Sequence, residues 1–134
     1  MTREETIQVL AILKAAYPSS YNGMTKKEAN GTVAVWCTQF STVPAYIVMM
    51  AVQKLISTHK FPPTVSEVKD KIASLHWEAR DMIYSTAAEV LSEKDMELYR
   101  RIYEETKGFR VGGMTEPSIH QMLSGGQMLM LGSE

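Results

Sequence analysis

Residues 33–68 read VAVWCTQFSTVPAYIVMMAVQKLISTHKFPPTVSEV, and the fold class turns on whether this apolar stretch alternates like a strand or repeats like a helix. It repeats. Ala29, Val33, Trp36, Cys37 and Phe40 form one stripe near the 3.6-residue period, strong enough to survive the unfavourable Gly31. After the short break around Ser41 to Val43, Pro44 suits the first turn of a second helix, where a missing N–H removes no hydrogen bond. Ile47, Met50, Ala51 and Leu55 continue its inner face to about Thr58. HKFPPT ends that helix, and Thr64 with Glu67 marks the start of another.

Working outward, Thr2/Glu5 and Thr25/Glu28 repeat the same Thr-x-x-Glu spacing just before apolar periodic runs. In such a box the Thr oxygen accepts the third helical N–H while the Glu reaches back to the cap's own N–H. A first helix is therefore expected from about Arg3 to Tyr17, stopped by Pro18, with Ile7, Leu10, Ala11 and Ala16 inward and Val9 and Leu13 widening that face. From Thr64, the run Val65, Val68, Ile72, Leu75, Ala79, Met82, Ile83 continues to about Leu91. Unbroken, it would be about 40 Å long at ~1.5 Å per residue. Either it breaks near Ser74 to Trp77, leaving Trp77 on a partly exposed flank, or its second half leaves the bundle. Ser92 caps a last helix with Met96, Tyr99, Ile102 and Tyr103 inward, and Gly108 is placed to terminate it. No strand pattern or internal repeat emerges. The expectation is an all-α chain: a compact N-terminal bundle over residues 1–75, a helical extension over 76–107, and a flexible linker and docking tail over 108–134.

Composition narrows the function. The 134 residues carry 45% apolar and 22% charged side chains with a net charge of −1, ordinary for one folded domain with an appendage. Six basic against three acidic residues in 1–63, and eight against twelve in 64–134, make a mild asymmetry without a basic run longer than two. That distribution argues against strong phosphate tracking, and any DNA contact is expected to be weak or indirect. The lone Cys37 excludes an internal disulfide and reads as a buried, inert thiol. The charged start MTREETIQVL lacks the form of a signal peptide, and YIVMMAV is too short to span a bilayer, so a cytoplasmic location is expected.

Catalytic patterns are missing from the chain. His59, His76 and His120 are far apart and none has metal-ligand spacing. There is no Walker-type phosphate loop and no Gly-x-Ser-x-Gly elbow, while pairs such as Glu104/Glu105 or Glu78/Asp81 read as solvated surface. No cofactor and no metal are expected, and an enzyme is not the expected reading. Residues 26–56 have the helix, turn, helix outline of a DNA reader, but the second helix offers only Gln53 and Lys54 as long polar groups. A small DNA-binding accessory protein of replication or transcription therefore stands as the alternative function.

The start MTREETIQVLAILKAAYP, the block at 33–68 and the overall length resemble the small phage proteins that load and inhibit the replicative helicase. The resemblance covers roughly residues 1–75, and its most specific part is Trp36 and Phe40, the following helix, then Phe61, Pro62, Pro63, Thr64 and Glu67. It implies a compact helical N-terminal domain followed by a flexible region that contacts a DnaB-type hexameric helicase. It also implies that the protein restrains that motor's ATPase and unwinding activity and delivers it to an origin through a replication-initiator protein. In this chain Phe61 reads as an anchor for the turn, with the two prolines fixing its shape.

Chemistry, rather than alignment to that family, singles out Ile119, Met122, Leu123, Met128, Leu129, Met130 and Leu131 as the helicase-contacting residues. Burying seven such side chains contributes about 10–20 kcal/mol gross at ~1.5–3 each. Ordering the thirteen residues that carry them opposes it by about 13–26 kcal/mol at ~1–2 each. A segment so balanced is ordered by a partner's groove, and Met adapts well to grooves that change shape. The other outcome is that 119–131 folds back and covers an apolar groove on the bundle.

Overall fold

The structure, a computed structural model, describes residues 1–109. Its elements are α1 (Arg3–Ala16), α2 (Pro18–Tyr21), α3 (Lys26–Gln39), α4 (Ala45–Ile56), α5 (Val65–Tyr84) and α6 (Glu93–Glu105). Short 3-10 turns follow α5 (Thr86–Val90) and α6 (Lys107–Phe109), and there is no strand among the described residues. The chain is all-α. All three expected capping boxes form: the N–H groups of Glu5, Glu28 and Glu67 each donate to their threonine Oγ1 at 3.1 Å. The same glutamates accept from the threonine N–H at 2.8, 3.0 and 2.9 Å. Ser92 caps α6 by accepting from Asp95 N–H at 3.1 Å. Pro44 is the residue that flanks α4 rather than its first turn; its carbonyl accepts from Ile47 and Val48 N–H.

Helix α4 lies between α1 and α5, α3 closes on α1, and α6 covers the second half of α5. Because α4 is packed on two sides, its buried arc is wide, taking in Ile47, Val48, Ala51, Val52 and Leu55, with Met50 only half-buried. Val9 and Leu13 from α1, Trp36 and Phe40 from α3, and Val68, Ile72 and Leu75 from α5 complete one core that also includes Ile102 of α6. The Trp36 and Phe40 rings sit 5.6 Å apart and tilted by 46°.

Several expectations are corrected. The face of α1 that enters the core is Thr6, Val9 and Leu13, followed by Tyr17, whereas Ile7 is 46% exposed, Leu10 half-buried and Ala11 exposed. Both sets have helical spacing, and the position of α4 decides between them. Helix α5 neither breaks at Ser74 to Trp77 nor leaves the bundle; it runs straight through to Tyr84 because α6 supplies a second covering layer. Trp77 is accordingly only 8% exposed. Cys37 is partly exposed at the border of the α3 stripe rather than buried. Gly108 lies in a 3-10 turn and is not in the left-handed region; α6 is closed instead by Thr106, whose N–H donates to the Ile102 carbonyl at 3.0 Å.

The α5–α6 contact contains a buried polar pair. His76 Nδ1 lies 2.9 Å from Thr106 Oγ1, and that hydroxyl donates to the Ile102 carbonyl at 2.6 Å. With its proton so used, the hydroxyl accepts, and Nδ1 of His76 is the donor. The imidazole stacks on Tyr103 at 4.6 Å and meets Trp77 edge-on at 4.7 Å. On the α4 side of α6, the Tyr46 hydroxyl bonds the Glu105 carboxylate; burial, and then that bond, hold the phenol protonated well above its ordinary range.

Candidate partner-binding surface

The side chains that α1 turns away from the core form one wall of an apolar groove. Ile7, Leu10 and Ala11 face Val33 and Ala29 of α3 across a space of about 800 Å³, and Pro18, Tyr21 and Met24 close its end. The local sequence explains the shape. Tyr17 is buried and its hydroxyl donates to the His59 carbonyl at 2.8 Å, which pins the end of α1 against the turn after α4. Pro18 then starts the single turn of α2, since its fixed φ suits a first helical position. Gly23 at φ +79° reverses the chain into α3, a conformation open to glycine at little cost. The apolar lining that results runs from Val33, buried at the base, through half-buried Leu10 and Ala29 to exposed Ile7 and Ala11.

The electrostatics of this groove are nearly featureless. Lys14 is the one charged residue among those lining it. Tyr21 stays a neutral phenol, its pKa raised by burial and by neighbouring Tyr17. Such a lining holds no nucleophile, no acid/base pair and no anion cradle; it suits an apolar side chain presented by a peptide or helix. No group of His, Cys, Asp or Glu among the described residues could hold a metal ion. No helix among them is long and apolar enough to cross a membrane.

Of the site residues expected from sequence, Ile119, Met122, Leu123, Met128, Leu129, Met130 and Leu131 lie outside the described residues. Trp36 and Phe40 are core. Phe61 is not an anchor: it is 70% exposed, with the Lys60 ammonium 5.7 Å from its ring. Pro63, not Phe61, is the buried residue of that turn, with Pro62 half-covered. Thr64 and Glu67 act as helix cap and cap partner, and Glu67 also lies 3.6 Å from His59 Nε2. As for a DNA-reading helix, Gln53 and Lys54 are the only exposed residues of α4, and Lys54 Nζ sits 3.9 Å from a Glu78 oxygen. A helix clasped between two others cannot enter a major groove.

Sequence reasoning missed the α1–α3 groove, although a signal was there. Helix α1 carries two apolar stripes, and one packing partner can cover only one of them. A helix apolar over so wide an arc implies a second contact.

Fold and surface define a small helical protein with a largely apolar groove between α1 and α3. Residues 1–69 match the family model for the N-terminal domain of the phage SPP1 helicase loader/inhibitor. The chain belongs to that family, whose members are accessory proteins rather than enzymes. The match takes in α1 to α4, the whole groove and the first turn of α5. No curated protein and no solved structure matches the chain.

Proposed function

We propose that this protein binds a DnaB-type hexameric replicative helicase in the host cytoplasm, restrains its ATPase and unwinding activity, and delivers it to an origin through a replication-initiator protein. Family membership over residues 1–69 is the observation that carries this reading. In this reading the helical body meets the initiator, while residues 108–134 hold the helicase through Ile119, Met122, Leu123 and Met128 to Leu131. The near-balance between burial and ordering in that segment supports a contact completed by a foreign surface. A six-fold ring multiplies such weak contacts when several copies bind it.

Size-exclusion chromatography of the protein with a DnaB-type helicase, with and without ATP, tests the proposal. The intact chain is expected to co-elute with the ring and to slow its ATP hydrolysis. A chain lacking residues 114–134 is expected to keep its helical circular dichroism and to lose both effects. Retained binding and inhibition by that shortened chain would overturn the role given to the C-terminal residues. Failure of the intact chain to bind any such ring would overturn the function itself. Burial of α4 counts against that helix as the reader in the DNA-binding alternative.

A further inference from the structure

The groove and the C-terminal sequence fit one another. The groove presents Ile7, Leu10, Met24 and Val33 around a single charge, Lys14. Residues 117–133 contain no Asp, Glu, Lys or Arg, and Ile119, Met122 and Leu123 are spaced to share one side of a helical turn. A volume of about 800 Å³ lies within the range that receives drug-sized ligands, so a few aliphatic side chains can enter together. An occupant recognised by charge would find almost nothing to pair with, whereas an uncharged Met/Leu turn needs only shape and apolar contact.

Reach allows the contact within one molecule. Phe109 packs against the core, and the ten residues from there to Ile119 extend to about 33 Å at ~3.3 Å each. A folded domain of this size has a radius of gyration of about 13 Å, so such a tether can reach roughly a third of the way round the body. Tethering on this scale gives an effective concentration of about millimolar, enough to populate a contact too weak to form between separate molecules.

We propose that the groove between α1 and α3 is the resting berth of this chain's own C-terminal segment, taking Ile119, Met122 and Leu123 against Ile7, Leu10 and Met24. The docking does not depend on the helicase reading. If that reading holds, ring and groove compete for the same side chains, and the free protein keeps its adhesive segment covered.

Full-length protein carrying Cys37→Ser and Ser124→Cys, with a nitroxide on the new thiol, tests the contact by methyl NMR. Ile7, Leu10 and Met24 signals are expected to lose most of their intensity, independently of protein concentration, while Val90 and Leu98 keep theirs. Ile7→Glu, at a position already half in water, is expected to restore the Leu10 and Met24 signals with the helical circular dichroism unchanged. Equal or absent broadening at the groove and on α6 would overturn the proposal. So would broadening carried from spin-labelled copies to isotope-labelled, spin-free copies, which would mean exchange between molecules. None of these readouts includes the helicase, so the docking and the proposed function can fail separately.

Discussion

Phe40 and Phe61 share a chemistry and differ in everything that matters to stability. Phe40 is fully buried in the core beside Trp36, whereas Phe61 stands in water. Phe40→Ala should therefore lower unfolding free energy by about 3–5 kcal/mol in urea titration, and Phe61→Ala should stay within ~0.5 kcal/mol of the parent. The first role is legible in the sequence because Phe40 falls on a periodic stripe. The second is not, since a phenylalanine before two prolines has no periodic neighbours and apolarity alone does not prove burial. His76 makes the same point for polar groups: its partner is thirty residues away, beyond any local pattern. Thr106→Val removes the acceptor of the buried Nδ1–H and should cost ~1–3 kcal/mol, with Thr106→Ser restoring most of it. Asp81 has a titratable consequence. Although Asp81 is exposed, partial desolvation, outweighing Arg80 and helped by Glu78, raises its carboxyl pKa above the ordinary value, so its ionised form is slightly disfavoured by folding and a small penalty is present at neutral pH. The penalty fades as pH falls through the raised pKa. Asp81→Asn should melt slightly higher than the parent at pH 7, with the difference closing in acid.

Helix starts are the most readable elements because their determinants lie within four residues. Thr2, Thr25, Thr64 and Ser92 all cap as their sequence context implies. Thr25→Ala should destabilise the protein by about 1 kcal/mol, measured by thermal melting, through loss of the cap hydrogen bond. Helix interiors are less readable when a residue sits there for reasons other than fit. Gly31 lies in mid-α3 with open space where a Cβ would go, so Gly31→Ala should stabilise by ~0.5–1 kcal/mol. The buried face of α1 and the continuity of α5 could not be read locally. Two stripes on α1 satisfy the same period, and only the placement of α4 chooses between them. Likewise, α5 remains buried beyond Leu75 because α6, more than fifteen residues further on, returns to cover it.

At the scale of the molecule, the candidate site divides between what composition reveals and what only packing reveals. The Met/Leu segment stands out by composition because it is apolar without periodic support. The α1–α3 groove leaves only the second apolar stripe of α1 as its trace in the sequence, and cannot be located until one knows which side of α1 is inside. The family match ends at Lys69, five residues into α5, whereas the interior draws on Ile72, Leu75, Ala79 and Ile102 from further along. A fragment trimmed to residues 1–69 would keep the stub of that rod and lose most of the helix packed on α4, exposing part of its apolar face. Such a piece should behave as a loose, dye-binding globule with helical far-ultraviolet signal but no sharp melting transition. In this molecule the limits of kinship and the limits of self-sufficiency therefore fall at different places on the chain.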